Sequence, residues 1–222
     1  MVIIMVITPH EEPYKNVMEK LLPFCHKKTY PPKTIVFRPG DLGDRLYYIA
    51  DGSVSICVED EENDQELVLA YLNKHEFIGT IGVFKGSETR KVTVKTRTQC
   101  QLAEMSYERF RQVLRKELLA SAPDILFMIG EQLASRLLKT SRKFSDLAFM
   151  DVEGRIARAL LDLCKEPDAM THPDGMQLYI TRQEIGRIVG CSREMAGRVM
   201  KEMEDKGLIS AHGKTIVVFG TR

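Results

Sequence analysis

The chain has 222 residues, 44% hydrophobic and 28% charged, with 32 Lys and Arg against 31 Asp and Glu. This length admits two domains of roughly 100–150 residues, and the composition excludes a disordered or fibrous chain. With a net charge of +1, any nucleic-acid binding has to come from a local basic surface. The five cysteines, Cys25, Cys57, Cys100, Cys164 and Cys191, form no CxxC pair. Their dispersal predicts reduced thiols in a cytoplasmic protein and argues against a zinc or iron–sulfur site.

The N-terminal MVIIMVIT is apolar but far shorter than the roughly 20 residues that span a bilayer. It lacks a basic leader and a small-residue cleavage site, so neither a membrane partner nor a signal peptide is expected. From Thr34 to about Met105 the chain reads as short strands. TIVFRPGD, RLYYIADGSVSICVED, QELVLAYLN and VTVKTRTQCQLAEMS are apolar runs, with turn signals at Asp51-Gly52 and Glu62-Asn63-Asp64. Strands at this spacing predict a small barrel or double-sheet roll. Within this run, GTIGVFKGSETRK combines two glycines with an arginine, the materials of a phosphate cradle.

ERFRQVLRKELLASA then has helical composition, and Pro123-Asp124 opens a further helix. Its apolar positions, Leu126, Ile129, Leu133, Leu137, Thr140, Phe144 and Leu147, step by 3, 4, 4, 3, 4 and 3. That spacing predicts a coiled-coil seam and a parallel homodimer; the competing reading is a helix packed on its own domain. After Asp151, GRIARALLDLCKE is an amphipathic helix and THPDGM a loop.

ITRQEIGRIVGCSREMAGRVMKEMEDKGLI carries the most specific signal. Thr181 and Glu184 form a capping box, Gly190 stands where a left-handed C-cap is wanted, and Ser192 caps a second helix. This is the helix-turn-helix pattern. On the second helix Met195, Ala196, Val199, Met200 and Met203 share one face, and Arg193, Glu194, Gly197, Arg198 and Lys201 the other. Arginine can donate twice to guanine and glutamate can accept from cytosine, so this face suits G·C reading in double-stranded DNA. LISAHGKTIVVFGTR reads as a strand–turn–strand wing. His212 and Lys214 at its tip, and Arg182 and Gln183 at the first helix N-terminus, are placed to meet phosphates.

The chain has no GxxxxGK[ST], nucleophile elbow or HExxH, so an enzyme is not expected. His75 is the one residue placed to tempt a haem reading, and a histidine there is more often a surface residue.

YYIADGSVSICVEDEE, AYLNKHEFIG, DAMTHPDGMQ, ITRQEIGRIVGCSRE and ISAHGKTIVVFGTR resemble the cAMP receptor proteins of the Crp/Fnr family over almost the whole chain. The resemblance implies an α+β fold. Residues 1–122 would be a cyclic-nucleotide-binding β-roll, a double-sheet jelly roll with flanking helices. Residues 123–150 would be a dimerisation helix and hinge, and 151–222 a winged helix-turn-helix. It implies a homodimeric transcription factor, controlled by cAMP and without a metal, that binds TGTGA-like palindromes and contacts RNA polymerase. Ser192, Arg193, Glu194, Arg198 and Lys201 then belong to the DNA-reading helix. Thr171, His172 and Gly175 match one polymerase-contact surface, and His26, Lys28 and Arg109 a second. In the cassette Gly79 and Arg90 are kept, and Thr140 and Ser141 match the adenine contacts.

The departures are Thr80, where the family has a ribose-binding glutamate, and Lys91, where it has a phosphate-binding serine. A hydrogen bond to a carboxylate contributes about 1.5–3 kcal/mol and a neutral hydroxyl bond about 0.5–1.5. Thr80 is therefore expected to weaken cAMP roughly tenfold or more. Three readings stay open: a retuned cAMP pocket, a pocket for another nucleotide such as a dinucleotide, and a regulator active without ligand.

Overall fold

The computed structural model describes residues 11–60, 65–86 and 88–221; the MVIIMVIT segment and the turn at Glu62-Asn63-Asp64 lie outside them. The chain divides into two compact units, residues 1–56 with 70–138 and residues 57–69 with 139–222. The division falls inside the long helix rather than at its end.

In the first unit a helix, α1 (Glu11–Leu21), precedes a two-sheet roll. Its strands are β1 (His26–Tyr30), β2 (Ile35–Phe37), β3 (Leu42–Gly43), β4 (Arg45–Asp51), β5 (Val54–Asp60) and β6 (Gln65–Leu72). After them come β7 (Phe77–Ile78), β8 (Glu88–Thr89), β9 (Thr93–Thr96) and β10 (Cys100–Ser106). One sheet has the order β1-β10-β4-β7, the other β2-β9-β5-β6, and β3 pairs with β8 in a small ribbon. The strands alternate as a half-buried sheet should: Leu46, Tyr48, Phe77, Ala103 and Met105 fill one core, and Ile49, Val54, Leu72, Val94 and Leu102 the other. A short helix, α2 (Ile81–Lys85), interrupts the roll between β7 and β8.

The helix expected after Met105 is shorter than its composition suggested. α3 runs Tyr107–Arg115, capped by Ser106, whose hydroxyl accepts from the Arg109 amide. A single 3-10 turn at Leu119–Ser121 then delivers Pro123 to the start of α4 (Ala122–Phe149). The α4 seam is split. Ile129 is fully buried with Ile125 and Met128 in its own unit's core, whereas Leu137, Leu138 and Phe144 are 67%, 71% and 74% exposed. The reading of a helix packed on its own domain therefore holds for the first turns of α4, and the later apolar positions are left exposed in the chain.

The second unit contains α5 (Val152–Leu163), the hairpin β11 (Met170–His172) and β12 (Gly175–Tyr179), α6 (Arg182–Val189), α7 (Arg193–Asp205), β13 (Ile209–His212) and β14 (Thr215–Phe219). THPDGM, read as a loop, is the turn of a hairpin whose strands extend the wing into a sheet of order β11-β12-β14-β13. Ile156, Leu160, Ile185, Ala196, Met200 and Ile216 are nearly or fully buried and form the apolar faces that the sequence periodicity marked.

Burial pushes the Cys25 thiol up to about 11 and the Tyr47 and Tyr48 phenols up to about 12. Each keeps its proton in the folded state at a pH where the unfolded chain has lost it, so stability is fully present below the unfolded values and falls as pH rises through the folded ones. The urea midpoint is expected to hold to about pH 9 and to fall between about pH 9 and 12; an unchanged midpoint at pH 11 would contradict the burial of these three groups.

Candidate functional site

The cassette follows from how β7 ends. Gly79 takes φ +83, a left-handed conformation that suits glycine, and a methyl there would lie 2.8 Å from both the Arg45 carbonyl and Arg90 Nη1. The chain then turns into α2. Gly82 lies against the Tyr107 ring, inside the distance that any side chain would need. Tyr107 Oη donates to the Gly79 carbonyl at 2.7 Å and accepts from Arg90 Nη1 at 3.1 Å. Arg90 Nη2 donates to the Arg45 carbonyl at 2.6 Å. The guanidinium stacks 4.3 Å from the Phe37 ring centroid, and the Tyr47 ring lies 5.9 Å away. Its Nε is buried and has no acceptor among the described residues. A half-buried cation held by dipoles, with one buried donor unused, fits an anion such as a phosphate. Burial pushes the Tyr107 phenol up, and the adjacent guanidinium works against that.

The two departures from the family pattern differ in placement. Thr80 is buried, at 2% exposure, while Lys91 is exposed. The lysine charge is therefore spent in solvent, and the position of the ribose carboxylate holds a small, enclosed hydroxyl. Thr140 and Ser141 are both exposed on α4.

Gln132 and Arg136 were not marked by the sequence. Gln132 Oε1 accepts from the Phe77 amide at 2.9 Å, and Arg136 Nη2 donates to the Phe77 carbonyl at 2.6 Å. Gln132 Nε2 also donates to the His75 carbonyl at 3.0 Å, and Arg136 pairs with Glu76 at 3.4 Å. Burial lowers the Arg136 pKa, and Glu76 opposes that. One turn of α4 thus serves both backbone groups of Phe77, in the strand leading into the cassette. His75 has φ 73, and its Nδ1 shares a 2.7 Å hydrogen bond with the Tyr48 hydroxyl. It is a turn residue tied into the same junction.

The helix-turn-helix forms as its caps require. Thr181 Oγ1 accepts from the Glu184 amide at 3.1 Å, and Glu184 accepts from the Thr181 amide at 2.8 Å. Gly190 is left-handed at φ 71, and Ser192 Oγ accepts from the Met195 amide at 3.1 Å. Gly186 lets the turn close, because a methyl there would meet the Cys191 carbonyl at 2.6 Å. Arg193, Glu194, Arg198 and Lys201 are exposed on α7. A cleft of about 300 Å³ is lined by Thr181, Arg182, Gln183, Arg193 and Gly213. It joins both helix N-termini to the wing tip, where His212 and Lys214 flank Gly213 and are exposed. The Arg182 stem crosses the face of α7 at Gly197, where a methyl would lie 3.3 Å from its Cδ.

Thr171, Pro173 and Asp174 are exposed on the β11–β12 hairpin, His172 is half-buried, and Gly175 is buried against the Val218 carbonyl. His26 and Lys28 share one face of β1. The Arg109 guanidinium lies 5.8 Å from the ring centroid of Phe24, which stands two residues before His26. Arg109 is also paired with Glu117 at 3.4 Å.

Residues 27–117 match the cyclic nucleotide-binding domain family, and 154–219 the Crp-like helix-turn-helix domain. The chain is 55% identical over 207 residues to the CRP-like protein Clp of Xanthomonas euvesicatoria pv. vesicatoria, covering 93% of this chain and 90% of that one. It is 54% identical to the solved structure of CLP from Xanthomonas campestris, a c-di-GMP responsive global regulator that links cell–cell signalling to virulence gene expression. That superposition has a TM-score of 0.88 and covers 93% of this chain and all of the other. A CRP/FNR-family regulator from Thermus thermophilus, 23% identical over 87% of this chain and 93% of that one, shares the fold at a TM-score of 0.72.

Replacing Gly82 by Ala forces a methyl into the buried Tyr107 ring. It is expected to lower unfolding stability by about 1–3 kcal/mol, measured by urea denaturation. An unchanged stability would show that the Tyr107 ring is free to move aside.

Proposed function

Since the chain belongs to the Crp/Fnr family of transcription regulators, with a cyclic nucleotide-binding domain and a Crp-like helix-turn-helix, we propose that it is a homodimeric factor reading TGTGA-like palindromes under the control of a cyclic dinucleotide. The unused Nε of Arg90 carries the ligand half of this reading: the cradle has a donor ready for a phosphate oxygen. The buried Thr80 favours a dinucleotide over cAMP, because no carboxylate is there to hold the ribose of a mononucleotide. The c-di-GMP response of the Xanthomonas campestris relative supports the same ligand class. Arg90 is the phosphate ligand, Gly79 and Thr80 its backbone cradle, and Thr140 and Ser141 the candidate base contacts. Lys91 adds only distant positive charge.

For DNA, Arg193, Glu194 and Arg198 are the base readers. Arg182, Gln183, Ser192, Lys201, His212 and Lys214 are the phosphate and positioning contacts around the cleft. The exposed Leu137, Leu138 and Phe144 of α4 support the homodimer, since apolar side chains clustered at the surface mark an interface. The hairpin at Thr171, His172 and Gly175, and the residues His26, Lys28 and Arg109, are the proposed contacts with RNA polymerase.

Calorimetric titration is expected to show c-di-GMP binding at least about tenfold tighter than cAMP, and loss of binding in Arg90→Ala. Tighter cAMP binding, or a fully active Arg90→Ala, would overturn this ligand assignment. In anisotropy titrations at fixed salt, Arg193→Ala and Arg198→Ala should each weaken TGTGA-palindrome binding by about 5- to 150-fold and relax the preference at one base pair. A loss equal on all sequences would move that residue to the phosphate-contact set.

A further inference from the structure

β6 is the outer strand of its sheet, so among the described residues one row of its backbone groups has no strand partner. Four consecutive residues of β6 are held by the rest of the second unit. Arg187 Nη1, at the end of α6, lies 3.3 Å from Glu66 Oε2, with both side chains partly buried. Gly190, the C-cap of α6, seats against Leu67 and Leu147: a methyl there would lie 3.6 Å from one and 3.7 Å from the other. Lys143 Nζ donates to the Leu69 carbonyl at 3.0 Å and the Val68 carbonyl at 3.4 Å. Burial lowers the Lys143 pKa, the mark of an ammonium taken out of water to make these bonds.

None of these grips touches the reading face. Arg193, Glu194, Arg198 and Lys201 are exposed, whereas the held residues are the last turn and cap of α6. That cap passes directly into α7: the Gly190 and Cys191 amides both bond the Gly186 carbonyl, at 2.9 and 3.0 Å. A shift at the end of α6 is therefore a shift at the start of α7.

From this geometry we propose that Glu66–Leu69 is a bracket for the reading head, with Glu66 and Lys143 as positioning residues that fix where α7 points without contacting DNA. The inference rests on the DNA-binding reading above. A dimer must present two heads at one fixed spacing to occupy both half-sites, whereas a single head meets a single half-site at any orientation. The bracket therefore matters for the palindrome and not for the half-site. A residue that merely stabilised the fold would matter equally for both.

Anisotropy titrations of the full chain on a TGTGA palindrome and on an isolated half-site duplex test this. Glu66→Lys and Lys143→Met should each weaken palindrome binding by about 3–10-fold and leave half-site binding within about twofold. The exchange Glu66→Arg with Arg187→Glu should recover most of the palindrome affinity, which separates orientation from damage to the fold. An equal loss on both DNAs, or an unchanged palindrome affinity, overturns the bracket alone. A wild-type chain that binds neither DNA overturns the DNA-binding reading, and the bracket with it.

Discussion

A guanidinium taken partly out of water needs its charge and its donors met, and the Arg90 guanidinium is half-buried, with its Nε fully enclosed. The chain meets it with a carbonyl from β4, a hydroxyl from the head of α3 and the ring of Phe37 on β2. Those three groups come from elements far apart in sequence, so Arg90 ties β4, β2 and α3 to the end of β8, the strand it follows. The cassette glycines follow from the same constraint. Gly79 must leave room for the guanidinium, and Gly82 must leave room for the tyrosine that holds it. The proposed phosphate cradle is thus already assembled around its cation. A ligand entering it exchanges hydrogen bonds and does not simply add them, so its net affinity is the difference between phosphate and carbonyl partners.

The second constraint is the short strand β7. It pairs with β4 on one side only, and its other edge is covered by α4. Gln132 and Arg136 stand in for the missing strand by serving the Phe77 amide and carbonyl. Side chains that satisfy a strand edge cannot slide freely, because each displaced bond would leave a buried backbone group unpaired. The cassette strand and this turn of α4 are therefore coupled through hydrogen bonds that both partners need.

Much of this was legible in the sequence, and the exceptions share a cause. The capping box, the left-handed Gly190 and the Ser192 cap are local patterns, and α6 and α7 appear at the predicted residues. The glycines and arginine of the cassette were likewise visible as a motif. Tyr107, Arg45, Phe37, Gln132 and Arg136 were not, because each acts on a partner tens of residues away and nothing local distinguishes it. Thr80 and Lys91 were visible as departures, but their effect depends on burial, which a single sequence does not state. The 3.5-residue period of α4 was read as one seam, although Ile129 belongs to the core and Leu137 and Phe144 to the surface. Periodicity reports an apolar face and is silent about what covers it.

Coupling between ligand and DNA needs a ligand with different affinities for two arrangements of the protein. The bonds along α4 limit what those arrangements can be. Breaking the Phe77 bonds would strand two buried backbone groups and uncover Arg136, whose Nε already lacks an acceptor among the described residues. A cheaper change keeps those bonds and moves the cassette strand together with its turn of helix. The same helix continues to Lys143, whose ammonium holds the β6 carbonyls, and to Leu147, which lies against Gly190. Lys143 and Leu147 thus make the same demand within the second unit that Gln132 and Arg136 make within the first: a change of arrangement that keeps these contacts moves each stretch of α4 together with the strand it holds, and so leaves the fewest buried polar groups unpaired.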